Sequence, residues 1–189
     1  MDKPTLEELF LNNPVIASVK CEEDLQKCLQ SNVEFVFILY GNLIEIVSTI
    51  EKIKEVGKLA MVPVDLVDGL SSHDAAIDYI IKNTRADGVI STKASLLRYA
   101  KAQGLLTVQR FFLLDSRALE NIERQLTNQF TDMIEIIPGL MPKIVRKIVA
   151  ISEKPVIVGG LISDKEDIVE LLRAGAMGIT TSNAELWFI

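Results

Sequence analysis

Histidine is nearly absent from this sequence, and cysteine, tryptophan and long apolar runs are scarce. Of 189 residues, one is His, two are Cys and one is Trp, and aromatic residues make up 6%. The single His73 cannot build a His-rich metal site, and Cys21 and Cys28 match no zinc spacing, so no metal centre is expected. The two cysteines lie seven residues apart on one expected helix, which separates their Cα atoms by about 10 Å. That is too far for a disulfide, and both are expected as buried, reduced thiols. Apolar runs such as Phe35 to Tyr40 and Pro155 to Val158 fall far short of the roughly eighteen residues a membrane helix needs. The start, Met1-Asp2-Lys3-Pro4, lacks the basic and then apolar pattern of a secretory signal, so the expected location is cytoplasmic, with no membrane partner. No Walker-type or Gly-x-Gly-x-x-Gly loop is present, which disfavours nucleotide cofactors. No Cys/His or Ser/His/Asp constellation suggests covalent catalysis. With no Pro/Gly/Ser-rich divider, residues 1–189 are expected to form a single domain.

What is present is aliphatic and acidic. Hydrophobic residues make up 49% and charged residues 24%, with a net charge of -6, so any nucleic-acid binding must use a local patch. Short β-rich apolar runs recur at Val15 to Val19, Phe35 to Leu39, Leu59 to Val64, Gly88 to Ser91, Leu105 to Phe112, Met133 to Ile137, Pro155 to Gly159 and Met177 to Thr181. Their continuous hydrophobicity suits strands buried on both faces of a parallel sheet. Amphipathic segments alternate with them. Ser71 with Asp74 and Ser163 with Glu166 fit capping boxes, Asp115 and Ser116 open a long helical pattern, and Gly57, Gly104 and Gly175 follow helix ends. Eight strands and eight helical segments, at about 24 residues per unit, predict a compact (β/α)8 TIM-type barrel with short loops, although such barrels usually take about 250 residues. A doubly wound open sheet is the alternative architecture.

Either architecture gathers ligand-binding groups at the C-terminal ends of the strands. There the sequence places Lys20, Asp65, Asp68, Ser91, Thr92, Lys93, Arg110, Glu135, Gly159, Gly160, Thr180, Thr181 and Ser182. Gly159-Gly160 and Thr181-Ser182, one unit apart and followed by a short helix expected near Asn183, suit backbone N–H contacts to a phosphate. The plainer alternative is a tight turn and a helix cap. Asp65 could accept hydroxyls of a small polyol. Arg110 and Glu135, on neighbouring buried strands, are expected to pair, either as structure alone or at the border of a ligand. Lys93 either neutralises phosphate or sits exposed in a first helical turn. His73 opens a helix and is assigned no catalytic role. The closing Leu186-Trp187-Phe188 either packs on the barrel or offers a surface for homo-oligomerisation.

Charge is uneven along the chain. Residues 82–154 carry twelve Lys/Arg against seven Asp/Glu, a surplus of five positive charges, while the rest carries eight against nineteen, a deficit of eleven. Arg98 and Lys101 on one expected helix, with Lys143, Arg146 and Lys147 on another, make a candidate polyanion face. The alternative is a pair of solvated helix faces, since few aromatics accompany them to stack bases.

An ordered set of motifs runs along nearly the whole chain: Pro63-Val64-Asp65-Leu66-Val67-Asp68-Gly69, Gly88-Val89-Ile90-Ser91-Thr92-Lys93, Gln109-Arg110-Phe111-Phe112-Leu113-Leu114-Asp115, Ile134-Glu135-Ile136-Ile137-Pro138-Gly139 with Pro142-Lys143, Gly159-Gly160-Leu161-Ile162, and Thr181-Ser182-Asn183 with Leu186-Trp187. This set resembles the glycerol uptake operon antiterminator regulatory proteins. The resemblance implies a barrel, not an enzyme, that binds the effector glycerol 3-phosphate and acts on leader messenger RNA of glycerol-utilisation genes to prevent premature transcription termination. By that resemblance, phosphate lies at Gly159, Gly160, Thr181 and Ser182, and Asp65, Arg110 and Glu135 line the polyol end. Lys93 reaches either part, and the RNA that the resemblance implies is expected on the basic segment, at Arg98, Lys101, Lys143, Arg146 and Lys147. Family members commonly carry a histidine before Val-Asp-Leu of the third strand, where this chain has Pro63, a departure that bears on ligand specificity. The residues also fit a small TIM-barrel enzyme acting on a phosphorylated sugar or triose, with Asp65 or Glu135 as general acid/base and Lys93 as electrophile or Schiff-base former.

Overall fold

Eight parallel strands close into a barrel in the computed structural model, which describes residues 5–71, 73–127 and 129–189. They are β1 (Val15–Val19), β2 (Phe35–Ile38), β3 (Leu59–Pro63), β4 (Gly88–Ser91), β5 (Leu106–Phe112), β6 (Met133–Ile137), β7 (Val156–Gly159) and β8 (Gly178–Thr181). Each pairs with the next in the chain, and β8 returns to β1. The helices are α1 (Leu6–Asn12), α2 (Glu22–Gln30), α3 (Glu45–Glu55), α4 (Asp74–Asn83), α5 (Ala94–Ala102), α6 (Ser116–Gln125), α7 (Pro142–Ile151) and α8 (Lys165–Arg173). This is the expected (β/α)8 architecture, with one redistribution. Helices follow β1 to β7, a short 3-10 turn (Ala184–Phe188) follows β8, and the eighth helix is α1, ahead of β1.

The continuous apolar strands have two separate cores to serve. One set of residues, including Ile16, Phe37, Met61, Ile90, Val108, Met133 and Ile157, packs inside the barrel; their neighbours along the chain, such as Ala17, Val36, Val62 and Val89, pack against the helices. Helix α1 plugs the N-terminal end of the barrel. Its Phe10 joins the interior cluster and stacks on Phe35 with ring centroids 4.9 Å apart. Gly178 makes room for it, because a Cβ there would lie 2.7 Å from the Phe10 ring. Phe10 therefore closes the interior from below; a cavity of about 670 Å³ lies outside this plug, bordered by Leu6 and Leu9 of α1 and by the starts of β3 and β5.

Two helix starts differ from expectation. Helix α4 begins at Asp74 with His73 at its cap position, so Asp74 is the first helical residue and cannot complete a box with Ser71. The α8 box is displaced by one residue: Asp164 accepts from the Asp167 amide at 3.0 Å, and Ser163 donates its own amide to Asp167. Asp115 caps α6 as expected, through the Ala118 amide at 2.8 Å. Gly57, Gly104 and Gly175 hold the left-handed conformation (φ 80°, 87° and 95°) that a helix end requires.

Both cysteines are free, and they differ in surroundings. Cys21 caps α2 and is half-buried, contrary to the expectation of two buried thiols, because it stands at the helix mouth; Cys28 is fully buried. Burial pushes the Cys28 thiol up to about 11 from an ordinary 9, against a smaller opposing pull from Lys58. A mild thiol reagent at pH 8 should therefore label Cys21 in the native protein and Cys28 only after denaturation, as peptide mass mapping would read. Because the folded-state value is raised, the contribution of Cys28 to stability is present below about pH 9 and is lost as pH rises through about 11.

Candidate functional site

Arg110 and Glu135 are register partners on β5 and β6, and both point into the upper barrel. Arg110 donates from Nε to Glu135 Oε2 at 2.6 Å, and the side chains are only 10% and 1% exposed. A carboxylate so deeply buried needs several donors. The second comes from β8, where the Thr180 hydroxyl donates to Glu135 Oε1 at 3.1 Å. Strand β7 lies between them, and Gly159, the register partner of Thr180, lets the hydroxyl pass: a Cβ on Gly159 would stand 1.8 Å from Thr180 Oγ1.

Above this charged floor lies a cavity of about 340 Å³ at the C-terminal end of the strands. Its walls are Ser18, Leu39, Ile137, Gly160, Leu161, Ile162, Thr181 and Ser182, carried by β1, β2, β6, β7 and β8 and the loops that follow them. The volume falls at the small end of the range for ligand sites. Gly160 and Leu161 are both left-handed (φ 78° and 64°). For Leu161, which is largely exposed, that conformation costs on the order of 1–3 kcal/mol. It turns the backbone across the cavity mouth. Among the described residues, no hydrogen bond engages the amides of Gly160, Leu161 or Ser182. Three backbone donors and the Ser182 hydroxyl therefore border one side of the cavity.

Of the sequence-nominated residues, Arg110, Glu135, Gly160, Thr180, Thr181 and Ser182 line this cavity, and Lys20, Asp65, Asp68, Ser91, Thr92, Lys93 and Gly159 do not. Gly159 sits in the floor beneath Thr180. The Thr181 hydroxyl is committed to the loop, donating to Ile162 O at 3.3 Å and accepting from the Asn183 amide at 3.1 Å. The expected helix near Asn183 is a five-residue 3-10 turn, and Asn183 Oδ1 already takes the Glu185 amide, so this terminus offers little to an anion. The α8 start is likewise occupied by its own acidic residues, Glu166 and Asp167. Asp65 clamps two loops together, accepting from Ser91 Oγ at 2.9 Å and the Thr92 amide at 3.1 Å. Lys93 is exposed and caps α5. Pro63 is buried at the end of β3. His73 is exposed. Sequence reasoning missed Ser18, Leu39, Ile137, Leu161 and Ile162 as wall residues; Ser18 and Leu39 share inward parity with core residues two positions earlier, Ile16 and Phe37. Leu186 and Trp187 are buried, the indole donating to Thr181 O at 3.0 Å, so the chain's last turn packs against the barrel.

The basic residues lie on the outer helices. Arg98 sits over the Phe130 ring, 5.0 Å from its centroid, and Lys101 pairs with Asp132. Lys147 Nζ is 2.7 Å from Glu123 Oε1. Lys143 and Arg146 are exposed on α7. Among the described residues no group of three or more His, Cys, Asp or Glu could hold a metal ion, and no helix is long and apolar enough to cross a membrane.

A family model described as glycerol-3-phosphate responsive antiterminator matches residues 15–187. An Escherichia coli (strain K12) protein, the uncharacterized protein YgcP, is 40% identical over 179 residues, covering 95% of this chain and 94% of its own. Among solved structures, a glycerol uptake operon antiterminator regulatory protein from Listeria monocytogenes is similar with a TM-score of 0.88 at 31% identity, over 93% of this chain and 95% of that one. A glycerol uptake operon antiterminator-related protein from Thermotoga maritima is similar with a TM-score of 0.80 at 32% identity, over 92% and 96% of the two chains.

Proposed function

The chain belongs to the glycerol-3-phosphate responsive antiterminator family, and from that premise we propose that it is a glycerol 3-phosphate sensor, not an enzyme, acting on leader messenger RNA of glycerol-utilisation genes to prevent premature termination. The observation that carries the sensor half is the cavity itself, small, with a charged floor and one wall of unengaged amides. A phosphate suits the amides of Gly160, Leu161 and Ser182, which provide fixed partial positive charge without a helix terminus. The glycerol hydroxyls suit Glu135 as acceptor and Arg110 as donor. Gly159 contributes by allowing the Thr180 bridge, and Thr181 by fixing the loop that carries Ser182. Asp65 and Lys93 stand outside this cavity, on the loops after β3 and β4; Asp65 ties these loops together, and either residue meets a ligand only if the loops close inward.

For the RNA half, Arg98 and Lys101 on α5 and Lys143, Arg146 and Lys147 on α7 supply cations on outer helices that flank α6. The reading is tested in two stages. Glycerol 3-phosphate should raise the unfolding temperature, with binding at a hundredfold over Kd adding about 2.7 kcal/mol, while glycerol and inorganic phosphate alone should do much less. RNA affinity at fixed salt should then change with saturating effector, and joint replacement of Lys143, Arg146 and Lys147 should weaken it and flatten its salt dependence. Conversion of a bound phosphosugar would instead make the barrel an enzyme. A thermal shift for another phosphosugar but not for glycerol 3-phosphate would assign the specificity change to the Pro63 departure.

A further inference from the structure

Two residues of β1 face the lumen. Ile16 is fully buried in the interior core, and Ser18 stands one layer above it on the cavity wall. Ser18 is only 7% exposed, and among the described residues its hydroxyl makes no hydrogen bond. A hydroxyl held out of bulk water without a partner is unfavourable, and a strand that served packing alone would gain nothing from it. We propose that Ser18 is a specificity residue, whose hydroxyl bonds one hydroxyl of the effector while Glu135 accepts from the other, so that the cavity selects a phosphorylated diol; this rests on the sensor reading above.

The two groups stand on different walls. Strand β1 pairs with β2 and β8, so in the closed ring of eight it lies across the barrel from β5, which carries Arg110, with Glu135 on the next strand. The cavity lies between them. Each oxygen of Glu135 already accepts one bond, from Arg110 Nε and from the Thr180 hydroxyl. As a carboxylate it can take only further donors, so this wall asks the ligand for an O–H. A ketone oxygen at the same carbon can only accept, and would set its lone pairs against those of Glu135.

Ser18 is the wall hydroxyl left for the polyol. Thr180 is committed to Glu135 and Thr181 to the Ile162 carbonyl, while Ser182 adjoins the amides that suit the phosphate. Leu39 and Ile137 complete the wall with apolar side chains. Ser18 can donate or accept, and so can pair with either hydroxyl of a three-carbon diol. A ligand that lacks one of them leaves a protein group desolvated and unmatched, which is how a polar site rejects a near relative of its ligand.

Ser18→Ala separates this role from a structural one. The change removes no bond of the empty protein, so the unfolding temperature without ligand should stay level or rise. Affinity for glycerol 3-phosphate, measured by titration calorimetry, should fall about three- to tenfold, the worth of one hydrogen bond. The unaltered protein should bind 3-hydroxypropyl phosphate, 2-hydroxypropyl phosphate and dihydroxyacetone phosphate at least about tenfold more weakly than glycerol 3-phosphate. In Ser18→Ala the penalty of one of the two deoxy ligands should shrink, because the hydroxyl it lacks has lost its partner. A lowered unfolding temperature without ligand would make Ser18 structural and overturn the proposal. Unchanged affinity would overturn it too, as would equal weakening of glycerol 3-phosphate and both deoxy ligands, which would place Ser18 on the phosphate. Absence of glycerol 3-phosphate binding to the unaltered protein would instead remove the sensor reading itself, and the selection of a diol with it.

Discussion

Glu135→Ala will cost about 3–5 kcal/mol of stability, because it leaves the Arg110 guanidinium nine-tenths buried with no carboxylate beside its Nε. On a total of about 5–15 kcal/mol that is a large fraction, and urea unfolding should show it as a lower midpoint with an unchanged slope. The pair Arg110→Met with Glu135→Leu tests what the charges are for. Two apolar side chains of similar volume remove both desolvation costs, so the double variant should recover most of the loss. It should nevertheless show no thermal shift with glycerol 3-phosphate, since the cavity floor has then lost its acceptor and its donor. Full stability with undiminished effector binding would show that the ion pair is scaffold alone, and a double variant as unstable as Glu135→Ala would show that Thr180 or the cavity shape carries the cost. The sequence left these two roles of the pair undecided; its existence was legible, because two charged residues inside neighbouring buried strands have almost nowhere else to go.

The barrel was readable for the same kind of reason. Strands buried on both faces are written as uninterrupted apolar runs, and all eight lie where such runs fall, differing by a residue at ends such as Leu39, Val64 and Met177. Helix α1 was not among the expected elements, since it belongs to no strand-helix unit and its purpose, placing Phe10 under Phe35, appears only once the barrel is closed. The site divides along a similar line. Arg110 and Glu135 were legible because each is a charged residue inside an apolar run, which can be buried only with a partner. The bridge from Thr180 across Gly159 depends on the register between β7 and β8, and the clamp from Asp65 to Ser91 on how two loops meet, and neither is written in local pattern. The basic residues show the limit most plainly. Their net surplus is a count, but whether a cation is free depends on the rotational phase of the neighbouring helix, which sets Glu123 against Lys147.

Gly159→Ala should be the most damaging single methyl group in the upper barrel. The added Cβ would stand 1.8 Å from Thr180 Oγ1, 3.1 Å from its Cβ and 3.0 Å from its carbonyl oxygen. Thr180 cannot swing aside cheaply, being β-branched, held in the β8 ladder and bonded to Glu135. Overpacking of this kind costs about 1–3 kcal/mol, and losing a hydrogen bond to a charged acceptor adds about 1.5–3 kcal/mol. Adding Thr180→Ala removes the worst overlap, so the two substitutions should be non-additive, the double variant being more stable than the summed single effects predict by at least about 1 kcal/mol. The carbonyl contact remains, so recovery should be partial. Effector binding by this double variant separates two reasons for the glycine. If Gly159 exists to let Thr180 reach Glu135, the restored fold should bind glycerol 3-phosphate again, weakened by the missing hydroxyl. If the glycine exists to let an anion approach the β7 backbone, the fold should return and binding should not, because the methyl group would still stand in the way of the phosphate.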